Sequence, residues 1–563
     1  MNALLKANTN KKQSFLGGAA VLALAVAIVK VLGFLYKIPL ARIIGDDGFG
    51  YFNTAYDIYS VLLMVSTTGL PVAMSRMISE AQTLGRTRQI HQIYRVSRAV
   101  FLSIGVVGAL GMALLCRQLA SLMNSEKSWF AILCLSPAVL FVGIISSERG
   151  FFQGQSNMVP TSVSQVMEAV CKLVVGLGLA LVAMSVYKRG GLVTDLPGEL
   201  PPEDPQRAAL ALAHSKAAGF SILGVTLGTV AASVYLVLKR RKAAAAILEE
   251  CTDPTVYSWK TTVKELLTIA VPITLGAAGL QIITTIDIGV YMGQLKGPAG
   301  FDEDTADKLK GIYNFAQTIF NMPCAFITPL TVAAIPAITE QITLRRRRRA
   351  NTVAESATRV MALIAMPCSI GLAVLGEPIM QLLRGYSGEE LRVAGTLMSI
   401  LGFCVFFNAF VLVMNAIMQA HGYVYIPVIN LIIGGVAKVL INLVLVGNPR
   451  INIVGVPVGT VICYMLITML DLIAIRRILR NPPRLIPNVI KPALASVAMG
   501  AAAFVLNKLC LLIGLPLVLR TGFSILGAAA VYAVLVYALR IVTRDDCSLL
   551  PKGDKIAKLL RVK

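Results

Sequence analysis

Residues 222–230 read Ile-Leu-Gly-Val-Thr-Leu-Gly-Thr-Val, and residues 453–461 read Ile-Val-Gly-Val-Pro-Val-Gly-Thr-Val. Six of nine positions are identical, and each nonamer lies in a long apolar run. A second pair opens two other runs: Gly50-Tyr-Phe-Asn53-Thr-Ala55 and Gly311-Ile-Tyr-Asn314-Phe-Ala316, each meeting a proline further on, at Pro71 and Pro336. A third pair sets Gln153, Pro160 and Lys172 against Gln419, Pro427 and Lys438, in the same order and at near-equal spacing. One such match arises by chance in apolar sequence; three in the same order signal a duplication.

The runs that carry the repeat are membrane spans. The chain has 563 residues, 56% apolar and only 14% charged, with a mean hydropathy of +0.74. Soluble domains carry about 25% charged residues, so an ordinary soluble enzyme and a disordered chain are both excluded. About 20 mainly apolar residues cross a bilayer as helix. Fourteen candidate spans meet that rule: 15–38, 51–75, 97–118, 128–147, 158–187, 213–238, 262–294, 309–339, 352–381, 391–419, 423–447, 452–475, 486–510 and 519–542. The first is read as a retained span, since it runs past a signal-peptide core and contains Lys30. Runs of this length without two-residue alternation exclude a β-barrel.

The repeat unit is six spans, an even number, so its two copies point the same way. The expected fold is an all-α polytopic membrane protein with two parallel six-helix lobes and two added C-terminal helices. The domains are 1–240, 241–480, and 481–563 with a basic tail. Two such lobes enclose a cavity that opens to either side in turn, which suits a transporter rather than a receptor or a scaffold.

Lys and Arg orient the chain. They cluster at Lys6, Lys11 and Lys12, from Arg76 to Arg98, at 239–242, at 345–349, from Arg476 to Arg484, and in the tail after Arg544. All fall on one side of a fourteen-span arrangement, while the opposite loops hold Asp46-Asp47, Asp195 to Asp204, and Asp302-Glu303-Asp304. Both termini are therefore expected in the cytoplasm. The net charge of +23 reflects this loop bias, and no nucleic-acid partner is expected. The ten cysteines lack Cys-x-x-Cys spacing and the three histidines lie far apart, so no metal site, cofactor or disulfide is expected. Walker A, Gly-x-Ser-x-Gly and His-Glu-x-x-His patterns are absent from the sequence; the chain does not read as an enzyme.

Charge inside the membrane is costly and marks function. Lys30 lies about 22 Å into the first span at 1.5 Å per residue, and Lys37, seven residues on, shares its face. Asp57 sits among Tyr51, Tyr56 and Tyr59. Lys37, Arg76, Arg149 and Asp471 lie near span ends and read as snorkelling side chains. Glu168 and Lys172 read as a structural i,i+4 pair. Asp287 and Lys438 read equally well as an internal salt bridge or as transport residues.

The stretch Lys30-Val-Leu-Gly-Phe-Leu-Tyr-Lys-Ile-Pro-Leu-Ala-Arg-Ile-Ile-Gly45, with Gly48-Phe-Gly50-Tyr51 and Thr68-Gly69-Leu-Pro71-Val-Ala-Met-Ser75, resembles the opening of the stage V sporulation protein B group. That group belongs to the polysaccharide biosynthesis (oligosaccharide flippase) family, related to lipid II flippases and to multidrug and toxin extrusion transporters. Arg149-Gly-Phe-Phe-Gln153-Gly154 with Pro160 and Glu168, and Gly311-Ile-Tyr-Asn314 with Asn321-Met-Pro323, extend the likeness along nearly the whole chain.

The resemblance implies a flippase for an undecaprenyl-pyrophosphate-linked saccharide, such as the peptidoglycan precursor lipid II, working in the cell membrane in cell-wall or spore-envelope synthesis. It implies the lipid bilayer and the cell-wall synthesis machinery as partners. Lys30 matches a cavity cation of lipid II flippases; Tyr36 stands where another relative carries arginine, with Lys37 adjacent. Lys30, Tyr36, Lys37, Asp57 and Arg76 are the expected substrate-binding residues. Charged positions of Gram-negative relatives fall here on Thr68, Thr318 and Asn321. Some relatives bind Na⁺ between spans 7, 11 and 12; here the Lys438 ammonium would take the place of that ion opposite Asp287, with Asn442 and Thr460 completing the polar shell.

The chemistry agrees: a pyrophosphate needs cations, and Lys serves as a point charge for phosphate. The alternative is a cation-coupled multidrug exporter, whose cavity would call for dominant carboxylates.

Overall fold

A helix of 53 residues is roughly 80 Å long, far beyond the ~30 Å of a bilayer core. Helix α1 of the computed structural model, Phe15–Thr67, has that length and is broken at Gly45, whose φ of 70° and ψ of 177° are non-helical. The first expected span lies in the first arm of α1, and the second, 51–75, starts in its second arm and runs into the next helix, Gly69–Thr83. A side chain at Gly45 would be strained at that φ, and its Cβ would lie 2.6 Å from the His214 ring, so only glycine makes this turn. The structure describes residues 15–155, 157–189, 205–247, 257–423, 425–479 and 481–543.

The remaining helices are α2 (Gly69–Thr83), α3 (Thr87–Leu114), α4 (Cys116–Leu122), α5 (Trp129–Gly154), α6 (Val159–Cys171), α7 (Leu177–Arg189), α8 (Pro205–Ile247) and α9 (Trp259–Lys296). Then follow α10 (Glu303–Thr343), α11 (Arg347–Val374), α12 (Gly376–Arg384), α13 (Gly388–Ala420), α14 (Tyr425–Leu445), α15 (Gly455–Ile478), α16 (Pro487–Leu512) and α17 (Leu517–Ala538). Every expected span is helical, and no strand occurs among the described residues. Eleven helical stretches among these residues are long and apolar enough to cross a membrane; the first, Ile28–Gln82, merges two expected spans. Spans seven and eight are α9 and α10, helices of 38 and 41 residues.

The chain packs as two compact units, Met1–Gly289 with Glu303–Gly311, and Val290–Asp302 with Ile312–Lys563. They divide the chain by packing, whereas the boundaries at 240 and 480 divide it by repeat. In the first unit α5 lies against α1, α2, α3 and α8. Its core joins Met74 and Ile78 of α2, Phe101 of α3, Phe151 of α5, Leu236 of α8 and Leu266 of α9. In the second unit α13 lies against α11, α12 and α15, around Met361, Met414, Ile417 and Ile467. The added helices α16 and α17 pack on this unit through Met499, Ala503 and Ala528.

The repeated glycines do the same work in both copies. A Cβ on Gly224 would collide with Gly176, and one on Gly228 would lie 2.9 Å from the Glu168 carbonyl oxygen. In the second copy a Cβ on Gly455 would lie 2.9 Å from Leu445 Cβ, and one on Gly459 would collide with Asn442 Oδ1. In each copy the sixth helix seats its glycines against the fifth, a close approach that any side chain would prevent.

Gly50 and Gly311 add a reciprocal contact. A Cβ on Gly50 would lie 2.5 Å from the Asp307 carbonyl oxygen, and one on Gly311 would collide with that of Asp46. Each glycine meets the residue four before its counterpart.

Candidate functional site

The first unit encloses a cavity of about 540 Å³. Lys30, Tyr36, Tyr56 and Thr67 of α1, Pro71 of α2, Ser146, Arg149 and Gln153 of α5, and Gln165, Glu168 and Lys172 line it. The break between α1 and α2 places Thr67 and Pro71 on its wall; irregular backbone at membrane depth is tolerated where it faces a cavity.

Three cations, Lys30, Arg149 and Lys172, face one carboxylate, Glu168. Lys30 is exposed and opens onto the cavity. The Lys172 ammonium lies 4.4 Å from the ring centre of Tyr56, 5.0 Å from that of Tyr36 and 5.8 Å from that of Phe52, and it donates to the Tyr56 hydroxyl at 3.3 Å. Such cation–π contacts hold a cation without neutralising it. Ser146, 2% exposed, and Gln165 present a buried hydroxyl and a buried carbonyl oxygen with no hydrogen-bond partner among the described residues.

Two expectations are corrected here. Glu168 does not pair with Lys172: it takes Arg149 at 3.3 Å, while Arg149 Nε donates to Ser164 at 3.0 Å. The Lys172 ammonium goes instead to the Tyr56 hydroxyl; the helix widens into a π-turn over Lys172–Gly176, and such turns gather at functional sites. Arg149 does not snorkel but lines the cavity, and Asp471 is fully buried.

Of the expected substrate residues, Lys30 and Tyr36 line the cavity. Tyr36 is fully buried, its hydroxyl donating to the Ser221 carbonyl at 3.5 Å. Lys37 is half-buried, 5.9 Å from the Phe49 ring centre. Arg76 is exposed on α2; neither it nor Lys37 lies on the cavity wall. Asp57 faces Lys310 of α10 at 3.6 Å, and Lys310, fully buried, also donates to Thr54 at 2.6 Å. Sequence reasoning missed Lys310, the second residue of the expected span 309–339. Asp287 is buried in the first unit. Lys438, Asn442 and Thr460 belong to the second, with Asn442 against Gly459, beside Thr460. Thr318 is half-buried and Asn321 exposed on α10.

Residues 15–192 match the family profile "Polysaccharide biosynthesis protein", and residues 311–444 match MatE. The chain is 23% identical over 552 residues to Stage V sporulation protein B of Bacillus subtilis (strain 168), covering 96% of this chain and 98% of that one. It is 25% identical over 477 residues to Lipid II flippase MurJ of the same organism, covering 82% of each. Among solved structures, Lipid II flippase MurJ in an inward closed conformation superposes with a TM-score of 0.64 at 12% identity, over 92% of this chain and 98% of that one. An inward-facing multidrug resistance MATE family transporter of the MOP superfamily gives 0.58 at 16% identity, over 82% and 97%. The chain is thus a multi-pass membrane protein with the fold of MurJ and the MATE transporters, similar to Stage V sporulation protein B over nearly its whole length.

Proposed function

We propose that the protein is a flippase that carries an undecaprenyl-pyrophosphate-linked saccharide, such as lipid II, across the cytoplasmic membrane by alternating access. The observation that carries this is the cavity lining: Lys30, Arg149 and Lys172 against Glu168. A cavity with excess positive charge attracts a pyrophosphate, and Ser146, Gln153 and Gln165 offer polar contacts to a sugar head. The polyprenyl tail stays in lipid while the charged head crosses. A cation-coupled multidrug exporter is the second reading, favoured by the MatE match over residues 311–444; cationic drugs, however, need carboxylates to dominate the cavity. Depletion of the protein in its host, with lipid-linked precursors followed on the inner leaflet, separates the two. Precursors accumulate if the protein is a flippase, whereas a drug exporter leaves them unchanged and loses cationic-dye efflux.

Orientation is part of the proposal: the arginine cluster at 345–349 faces the cytoplasm and Asp302 faces outward. Both positions are among the described residues; the expected outer loop around Glu203 and the tail after Arg544 lie outside them. An Asp302→Cys variant is therefore expected to react with an impermeant thiol reagent in intact cells, and an Arg348→Cys variant only after permeabilisation. The reverse pattern inverts the topology and removes the inward-to-outward direction of transport.

A further inference from the structure

One buried charge away from the cavity lies in the second unit. Asp471 of α15 is fully buried. Its Oδ1 accepts a hydrogen bond from Asn430 of α14 at 2.7 Å, while its Oδ2 is buried without a hydrogen-bond partner among the described residues. Thr468, three residues earlier and so on the same helix face, is 8% exposed, and its hydroxyl likewise has no partner.

The internal repeat shows what is unusual. Ile222 aligns with Ile453, and the same register places Asp471 where the first copy has Arg240. There Arg240 pairs with the buried Glu148 at 3.1 Å, and Glu148 also accepts the Tyr94 hydroxyl at 2.6 Å. The first copy thus pairs its buried charges. In the second copy the position corresponding to Glu148 is apolar Met414, by the register that aligns Gln153 with Gln419.

The charged and titratable groups of the packed elements lie elsewhere. Arg476 and Arg477 are on later turns of α15, Lys438 is two turns beyond Asn430, and the His421 ring at the end of α13 bonds the Ile417 carbonyl oxygen. On α11, Glu355 accepts from the Arg484 backbone and Arg359 donates to Thr543. Among the described residues none of these forms an ion pair with Asp471. An ionised carboxylate with one bonded oxygen is expensive in an apolar interior, whereas the neutral acid is tolerated.

We propose that Asp471, with Asn430 and Thr468, is a proton-binding site of the second unit. Asp471 takes one proton from water on Oδ2, forming an O–H bond directed toward the Thr468 hydroxyl, and returns it to water when this face opens. Asn430 keeps its bond to Oδ1 throughout. No other reactant is required.

The test is infrared difference spectroscopy of the full-length protein in liposomes between acid and alkaline pH. The expected result is one component of the aspartate carbonyl absorption, present in acid, gone in alkali and shifted by ¹³C labelling of aspartate, that is missing from the same difference spectrum of Asp471→Asn. That substitution is neutral and keeps the size and the Asn430 contact. If Asp471→Asn does not fold, Asp471→Glu replaces it: the same component then no longer shifts on ¹³C labelling of aspartate and shifts on ¹³C labelling of glutamate. Absence of a protonated aspartate band, or its persistence in folded Asp471→Asn, overturns the site.

Discussion

Lys310→Ala destabilises the protein severely, by about 3–5 kcal/mol, the usual cost of stripping one partner from a buried ion pair. The ammonium is fully buried, 3.6 Å from Asp57 and 2.6 Å from the Thr54 hydroxyl. Without it, Asp57 keeps a buried carboxylate oxygen and loses the ammonium 3.6 Å from it. Nearby, Tyr51 donates to Asp304 at 3.4 Å and Lys127 pairs with the same carboxylate, so the head of α10 is tied to α1 and to the turn before α5. Lys310→Met with Asp57→Leu replaces the pair by apolar groups of similar volume and recovers much of the loss. The measurement is the thermal midpoint of detergent-solubilised protein by size exclusion. An unchanged midpoint in Lys310→Ala, or a double variant as unstable as the sum of the singles, removes the pair as a structural tie.

Lys30→Ala lowers flipping at least tenfold at normal membrane abundance. A charge-assisted hydrogen bond is worth about 1.5–3 kcal/mol, or roughly ten- to one-hundred-fold in transport when a pyrophosphate depends on it. Lys30 is exposed and lines the cavity, so its loss leaves packing intact. Lys30→Arg retains at least partial activity because the charge survives. Lys172→Met loses a comparable amount: the unbranched stem still fills the space among Tyr36, Phe52 and Tyr56, but the charge is gone. Both variants are scored by precursor flipping in proteoliposomes. Full activity in the two together refutes the cavity-cation mechanism, whereas loss in Lys172→Met alone moves the pyrophosphate to the deeper cation.

The correction at Glu168 shows why such a site is only partly legible in a sequence. Spacing of four residues makes a pair only where no better partner competes; here Arg149 takes the carboxylate and the Tyr56 hydroxyl takes the ammonium. Arg149, read as a span-end cation, turns inward because Glu168 and Ser164 of the neighbouring helix meet it. Its neighbours Gly150 and Gly154 carry the one signal that pointed there: a Cβ on Gly154 would lie 2.7 Å from Ile78, so this segment of α5 sits tightly against α2 beside the cavity.

The sequence by itself determined the elements and their symmetry. Fourteen apolar runs had to be helices, because a backbone in lipid must satisfy its own hydrogen bonds. The paired glycines at 224 and 228, and at 455 and 459, repeat because each copy needs the same close helix approach. The tertiary structure alone decided which intramembrane charges meet. Lys310 reaches Asp57 across more than 250 positions of chain, Lys172 leaves Glu168 for an aromatic cage, and Asp471 meets Asn430 of another helix. A charge in an apolar interior is governed by whatever lies within a few ångströms of it, and helix packing, not order along the chain, supplies those neighbours.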